Sequence, residues 1–213
     1  MRAFLFVLVV LAVGVFSYLI GSINCSILIS RLQMKKDVRE SGSGNAGATN
    51  MLRTFGPAAG VLTMVGDFLK TLLPLIVTKL IFQQEEYWQA MVSFSGFCCS
   101  MGHVFPIYFG FRGGKAVTVV AMVLFVVDWR CFLVGILIFI LTVALTRYVS
   151  LGSILGAVSG PITMFFICQD NLANRWFVVV CLGALALMII LLHRENIKRL
   201  LKGTERKISF KKN

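Results

Sequence analysis

The sequence predicts an all-α integral membrane protein of seven transmembrane helices, N-terminus outside and C-terminus cytoplasmic, forming a single domain over 1–213. Three observations carry this. Of 213 residues, 58% are hydrophobic and only 14% charged, and the mean hydropathy of +0.86 exceeds what a soluble core of this size needs. The apolar residues gather into runs, several close to the ~20 residues that cross a hydrocarbon core. The basic residues fall mainly in the short segments between runs, on one assigned face.

The apolar segments lie at 3–30, 57–82, 88–107, 116–128, 131–148, 152–168 and 175–193. The first has a lone Arg2 and then an apolar run without an A-x-A-like site, so it reads as a retained helix, with a cleaved signal peptide as the alternative. The second carries Asp67 and Lys70, three apart on one helical face. Intramembrane charge is costly, so this pair is either a structural ion pair between helices or a wall of a polar cavity. The third ends at His103 in Gly-His-Val-Phe-Pro. The fourth is short: thirteen residues reach only about 20 Å of a core about 30 Å thick. It either pairs with 131–148 as a hairpin on one side or has a recessed end. The sixth follows the turn at Arg147 and opens with Ser150 and Ser153, whose hydroxyls can donate into a cavity.

Orientation follows from Lys and Arg. The segments 31–56, 108–115, the turn at Arg147 and the tail after 193 hold 16 of the 21 basic residues, which the positive-inside rule puts in the cytoplasm. Trp88, Trp129 and Trp176 fall at the opposite ends, where amphipathic rings favour the headgroup layer. The links Gln83 to Tyr87 and Gln169 to Arg175 read as plain connectors. A net charge of +12, spread over loops and tail, fits anionic lipids and anionic substrates rather than nucleic acid. Six cysteines at 25, 98, 99, 131, 168 and 181 show no C-x-x-C spacing and read as small buried residues, with no metal site and no cofactor expected.

Polar chemistry concentrates in three places. Ser41-Gly42-Ser43-Gly44-Asn45-Ala46-Gly47-Ala48-Thr49-Asn50 is a glycine-rich stretch in an otherwise apolar chain. Its glycines let successive amides turn toward one anion, and Ser41, Ser43, Thr49 and Asn50 add side-chain donors. Arg53 follows, able to grip phosphate with two bonds. Gly113-Gly114-Lys115 opens the short fourth segment, where helix-end amides, the dipole and the ammonium all favour an anion. A basic interfacial turn is the plainer reading, since the full P-loop pattern is absent. Past the last segment, helical spacing puts His193 and Asn196 on one face, with Arg199 or Leu200; alternatively the tail is a snorkelling anchor.

Gly-Ser-Gly-Asn-x-Gly-x-Thr-Asn-x-x-Arg at 42–53, Gly-His-x-Phe-Pro at 102–106 with Phe-x-Gly-Gly-Lys at 111–115, and His-Arg-x-Asn-Ile-x-Arg-Leu-x-x-Gly-x-Glu at 193–205 resemble the three motifs of the bacterial membrane acyl-phosphate:glycerol-3-phosphate acyltransferases, the PlsY family. The resemblance implies a seven-helix fold in the bacterial inner membrane with its site facing the cytoplasm. It implies acylation of the 1-hydroxyl of glycerol 3-phosphate from a fatty acyl phosphate, giving lysophosphatidic acid. By position it implies that the Ser41–Asn50 loop with Arg53 is needed for activity, and that Gly113, Gly114 and Lys115 hold glycerol phosphate. It further implies that His193 and Asn196 support activity and that Glu205 maintains structure. One departure is that Ala116-Val117-Thr118-Val119 follows Gly-Gly-Lys, moving the expected hydroxyl by one residue.

The catalytic candidates are therefore Ser43, Asn45, Arg53, Lys115, His193 and Asn196. The substrate-binding candidates are Ser41, Gly42, Gly44, Gly47, Thr49, Asn50, His103, Gly113, Gly114, Ser150 and Ser153, with Asp67, Lys70 and Glu205 structural. No nucleophile sits in a His and carboxylate arrangement, which disfavours an acyl-enzyme, and an acyl phosphate needs none because phosphate already leaves well. The proton goes either to departing phosphate or to His193 as base. The expected partners are glycerol 3-phosphate, fatty acyl phosphate and membrane lipids. A small carrier or channel for a phosphorylated metabolite is the competing class.

Overall fold

The computed structural model describes residues 2–167 and 172–208. Cys168, the beginning of the Gln169 connector, and Lys211 and Lys212 of the tail lie outside them. The described residues form α1 (Arg2–Gly21), α2 (Cys25–Gln33), α3 (Ala48–Phe55), α4 (Pro57–Phe82), α5 (Trp88–Val104), α6 (Val117–Val127), α7 (Trp129–Thr146), α8 (Val149–Ile167), α9 (Leu172–Leu192) and α10 (Arg194–Leu201), with short 3-10 turns at Val38–Glu40 and Ile107–Phe109. Among the described residues, six spans are long and apolar enough to cross a membrane: Ala3–Gln33, α4, Trp88–Phe109, α7, α8 and α9. Their outward faces are apolar, with Phe4, Leu11, Leu69, Leu137, Val180 and Leu187 all more than half exposed. That is a surface for lipid rather than water.

The run read as one helix over 3–30 is broken. The chain leaves α1 at Gly21 and restarts at Cys25, where Asn24 caps α2 by accepting from the Ile27 amide at 3.2 Å. The cap satisfies an orphan amide deep in the protein, so the break costs little. Gly56, at φ +90°, closes α3 and Pro57 opens α4, the expected division of labour between these residues.

Helix α5 is the inner element, packed by α1, α4, α6 and α9, while α7, α8 and α9 stack in sequence beside it. The main core joins Val92, Cys99, Val119, Val123, Leu182 and Leu185 from α5, α6 and α9. A second, small core of Ile27, Val38, Ala46, Met51 and Ala59 lies under the first polar loop and gives that loop a floor. Helix α6, eleven residues long, runs back along α5. Gly114 donates to the His103 carbonyl at 3.2 Å at one end, and Gln89 Nε2 donates to the Val127 carbonyl at 3.1 Å at the other.

Candidate active site

The first polar stretch is only partly a loop. Its last residues, Ala48 to Asn50, are the first turn of α3, and Arg53 lies in that helix's last turn. Gly42 and Gly44 take φ of +63° and +70°, conformations that glycine adopts without a steric cost. The turn closes on Asn50. This buried side chain shares its Nδ2 among the carbonyls of Val38 at 3.1 Å, Ser41 at 3.0 Å and Asn45 at 3.1 Å, while Oδ1 accepts from the Ser43 amide at 2.9 Å. Asn50 is therefore the loop's organiser and not a donor held ready for ligand, because its hydrogen-bonding capacity is already used. Arg39 ties the loop outward, meeting Asp37 with two bonds and donating to the Phe109 carbonyl at 2.8 Å and the Arg112 carbonyl at 3.1 Å.

Around Gly113 and Gly114 the structure corrects the expected amide cradle. Gly113 donates to the Val104 carbonyl at 3.0 Å and Gly114 to the His103 carbonyl at 3.2 Å, so these amides finish α5 instead of facing an anion. The glycines are there for close approach. A Cβ on Gly113 would overlap the carbonyls of His103 and Val104, and one on Gly114 would overlap the Ala46 carbonyl and the His103 ring. Only after this packed turn does the chain turn Lys115 into the cavity, with Ala116 left-handed at φ +56° before α6 begins.

The tail supplies the third group. His193 breaks the chain between α9 and α10 and is buried, its Nδ1 at 2.8 Å from the Ile189 carbonyl. A carbonyl only accepts, so Nδ1 carries the proton and Nε2 remains an acceptor. Burial first, and then the Lys115 ammonium, push this imidazole down to about 4, so it is neutral at pH 7. Glu205 is a buried hub. Its Oε1 accepts from Ser150 Oγ at 2.8 Å and Asn196 Nδ2 at 2.6 Å, and its Oε2 from Arg199 Nε at 2.7 Å. Burial alone would raise the Glu205 carboxyl, but the bonds from Asn196, Arg199 and Ser150 outweigh it and hold it below the usual range. Asn196 in turn accepts from Lys115 Nζ. Burial, with Arg199 and Arg53 nearby, brings the Lys115 ammonium down to about 8.

These segments line one cavity of about 970 Å³. Gly42, Ser43, Gly44, Asn45, Gly47, Thr49, Asn50, Arg53, Lys115, Ser150, Ser153, His193, Asn196 and Glu205 face it, together with Asp67. Ser41, His103, Gly113, Gly114 and Lys70 support it from behind. His103 is buried against Lys70, which keeps it from the substrate contact expected of it. Met64, Phe105, Val117, Phe139, Leu191 and Leu192 form an apolar wall. A space with cations and hydroxyls at one side and hydrocarbon at the other accommodates an anionic headgroup joined to an acyl chain.

The chain matches the family model described as glycerol-3-phosphate acyltransferase over residues 11–203. The chain belongs to the glycerol-3-phosphate acyltransferase family. Curated relatives of that name include one from Clostridioides difficile (strain 630), 38% identical over 94% of this chain and 96% of its own length. Another, glycerol-3-phosphate acyltransferase 2 of Bacillus anthracis, is 39% identical over 91% of this chain and 96% of its own. The crystal structure of PlsY, an integral membrane glycerol 3-phosphate acyltransferase, in its glycerol 3-phosphate form superimposes with a TM-score of 0.85 at 34% identity, covering 94% of this chain and 96% of that one. Its lysophosphatidic acid form gives 0.82 at the same identity.

Within this acyltransferase, several cavity residues stand outside the candidate lists, and two of them are polar groups of note. Thr118, in the first turn of α6, faces the cavity despite the shifted motif, and so does Arg206 beyond the tail helix. For Thr118 the signal was available: it lies three residues past Lys115, one helical turn on. Arg206 had none, being one cation among many in the tail.

Proposed function

We propose that this chain transfers a fatty acyl group from acyl phosphate to the 1-hydroxyl of glycerol 3-phosphate, giving lysophosphatidic acid and phosphate, the first step of phospholipid synthesis. The observation that carries the proposal is the single cavity where Arg53, Lys115 and the first polar loop meet His193 and Asn196 beside an apolar wall. Two phosphorylated reactants repel each other, and the Arg53 and Lys115 cations offset that repulsion in a partly desolvated site. The hydroxyl oxygen attacks the acyl carbon, the bond from that carbon to the phosphate oxygen breaks, and the hydroxyl proton leaves with the phosphate. Catalysis is then mainly positioning. His193, neutral with Nε2 accepting, orients the hydroxyl proton; it is no stronger a base than its lowered ionisation allows.

The same reading takes the chain as one membrane-embedded domain with seven crossings, N-terminus outside, and its site on the cytoplasmic side of the bacterial inner membrane. Support comes from α6, an apolar segment that runs back along α5 with hydrogen bonds near both of its ends. Further support is that the polar loops and basic tail share the end opposite Trp88 and Trp129, as the positive-inside rule requires.

The test is an end-point assay with purified protein in detergent, offered glycerol 3-phosphate with acyl phosphate, acyl-carrier thioester or acyl-coenzyme A in parallel. Lysophosphatidic acid from acyl phosphate alone is expected. Product from either thioester, or no lipid product, overturns the reading. His193→Gln separates the two proton routes: full turnover excludes His193 as base, whereas lost turnover with intact glycerol phosphate binding weakens the substrate-assisted route.

A further inference from the structure

The proposed reaction makes no use of a charged group inside the bundle, the Lys70 ammonium in α4, whose side chain is 5% exposed. Its nitrogen has Asp67 Oδ1 at 2.8 Å, His103 Nδ1 at 2.8 Å and the Ile23 carbonyl at 2.8 Å. An ammonium only donates, so His103 accepts at Nδ1.

Asp67 itself lines the cavity, and the other two neighbours lead to different parts of its wall. His103 accepts the Gly114 amide on its carbonyl, and its ring edge occupies the space a Gly114 side chain would take; Lys115 is the next residue. Ile23 precedes Asn24, whose Nδ2 reaches the Ala46 carbonyl of the first polar loop at 3.5 Å. The two routes meet again at Gly114, closed in by the Ala46 carbonyl on one side and His103 Nε2 on the other. Tying helices together does not by itself require buried charge, since apolar packing of similar volume often serves as well. Fixing the distance between two polar segments is a use that apolar packing cannot supply, because it has no direction.

We propose that Lys70, held by Asp67, is a positioning residue that sets Lys115 and the Ser41–Asn50 loop at the separation the two phosphates require. This rests on reading Lys115 and that loop as the substrate site. It makes Lys70 a brace acting on both sides of the site from behind, through His103 and through the break between α1 and α2.

The test uses the full chain in detergent, with kcat and KM measured for glycerol 3-phosphate. Asp67→Asn with Lys70→Met removes both charges together and leaves no orphan ion. The double variant is expected to keep its fold, by elution and melting, while KM rises about tenfold or more and kcat falls by a smaller factor, the result of a displaced binding group. Ser17→Ala is the control, since it removes an equally buried contact between α1 and α5, the 2.8 Å bond to Ser95, far from the loops, and is expected to keep the parent KM. If the double variant does not fold, His103→Leu takes its place with the same expectation. A folded variant with the parent KM overturns the brace, as does an equal KM rise in the control or loss of fold in both variants. Lys115→Ala separates the two readings. If it leaves KM unchanged, the site assignment fails; if it raises KM while the double variant does not, only the brace fails.

Discussion

Raising the pH from 7 to 9 is expected to cost this acyltransferase about tenfold in kcat/KM for glycerol 3-phosphate, through a single ionisation at Lys115. Burial and the nearby Arg199 and Arg53 bring that ammonium to about 8 in the unliganded site. A group with that value is about nine-tenths protonated at pH 7 and about one-tenth at pH 9. The sign follows from the anion: only the protonated form attracts phosphate, so activity is present below the transition and is lost above it. Because kcat/KM reports the free enzyme, the unliganded value applies, and bound phosphate, which favours the ammonium, carries kcat to higher pH. Initial rates at low glycerol 3-phosphate and constant ionic strength measure the first quantity, and calorimetric binding checks it. Lys115→Arg, which stays charged throughout, should flatten the profile. A parent profile flat to pH 10, or the same fall in Lys115→Arg, would refute the reasoning.

At the acid end, with His193 at about 4, turnover should hold nearly constant from pH 7 down to about 5; an inflection near the ordinary imidazole value would contradict a neutral, buried ring. Glu205→Gln cannot satisfy donors from both sides of the carboxylate and should lower stability by about 3 kcal/mol, read by denaturant melting in detergent. Since the folded Glu205 carboxyl is the more acidic one, its contribution is complete above the unfolded carboxylate range and fades on acidification, a pH dependence the Gln variant should lack. Asn50→Ala strands three carbonyls and one amide and should expose the first loop to limited proteolysis while the spans stay protected. Gly114→Ala must displace both the Ala46 carbonyl and the His103 ring; a large loss of kcat/KM and a lower melting temperature are expected, and parent kinetics would disprove the close packing.

The helices were legible because lipid-facing segments need only be apolar and long, and α4 begins and ends where composition changes. The break at Ser22–Asn24 was hidden inside a long apolar run: Gly21 and the capping Asn24 mark it locally, but the partner that takes the freed Ile23 carbonyl, Lys70, lies forty-seven positions away. Helix α3 was hidden for the opposite reason, since glycines preceding it mark a loop whose end no periodicity reveals. At the site, residue types identified the region but not each role. Asn50 and Gly114 belong to motifs that attract attention as ligand donors, yet a saturated amide and a steric contact are three-dimensional facts. Glu205 was reachable only through the family resemblance, as one of two acids in a basic tail, and its donors come from α8 and α10.

The shortness of α6 has a consequence for traffic. Eleven residues fall about 13 Å short of a full crossing, so water can descend that far along one wall while hydrocarbon stands along the next. A sugar phosphate that never enters lipid and a fatty donor that never leaves it can then touch at a shared depth, and the newly made ester is already dissolved in the phase where it belongs.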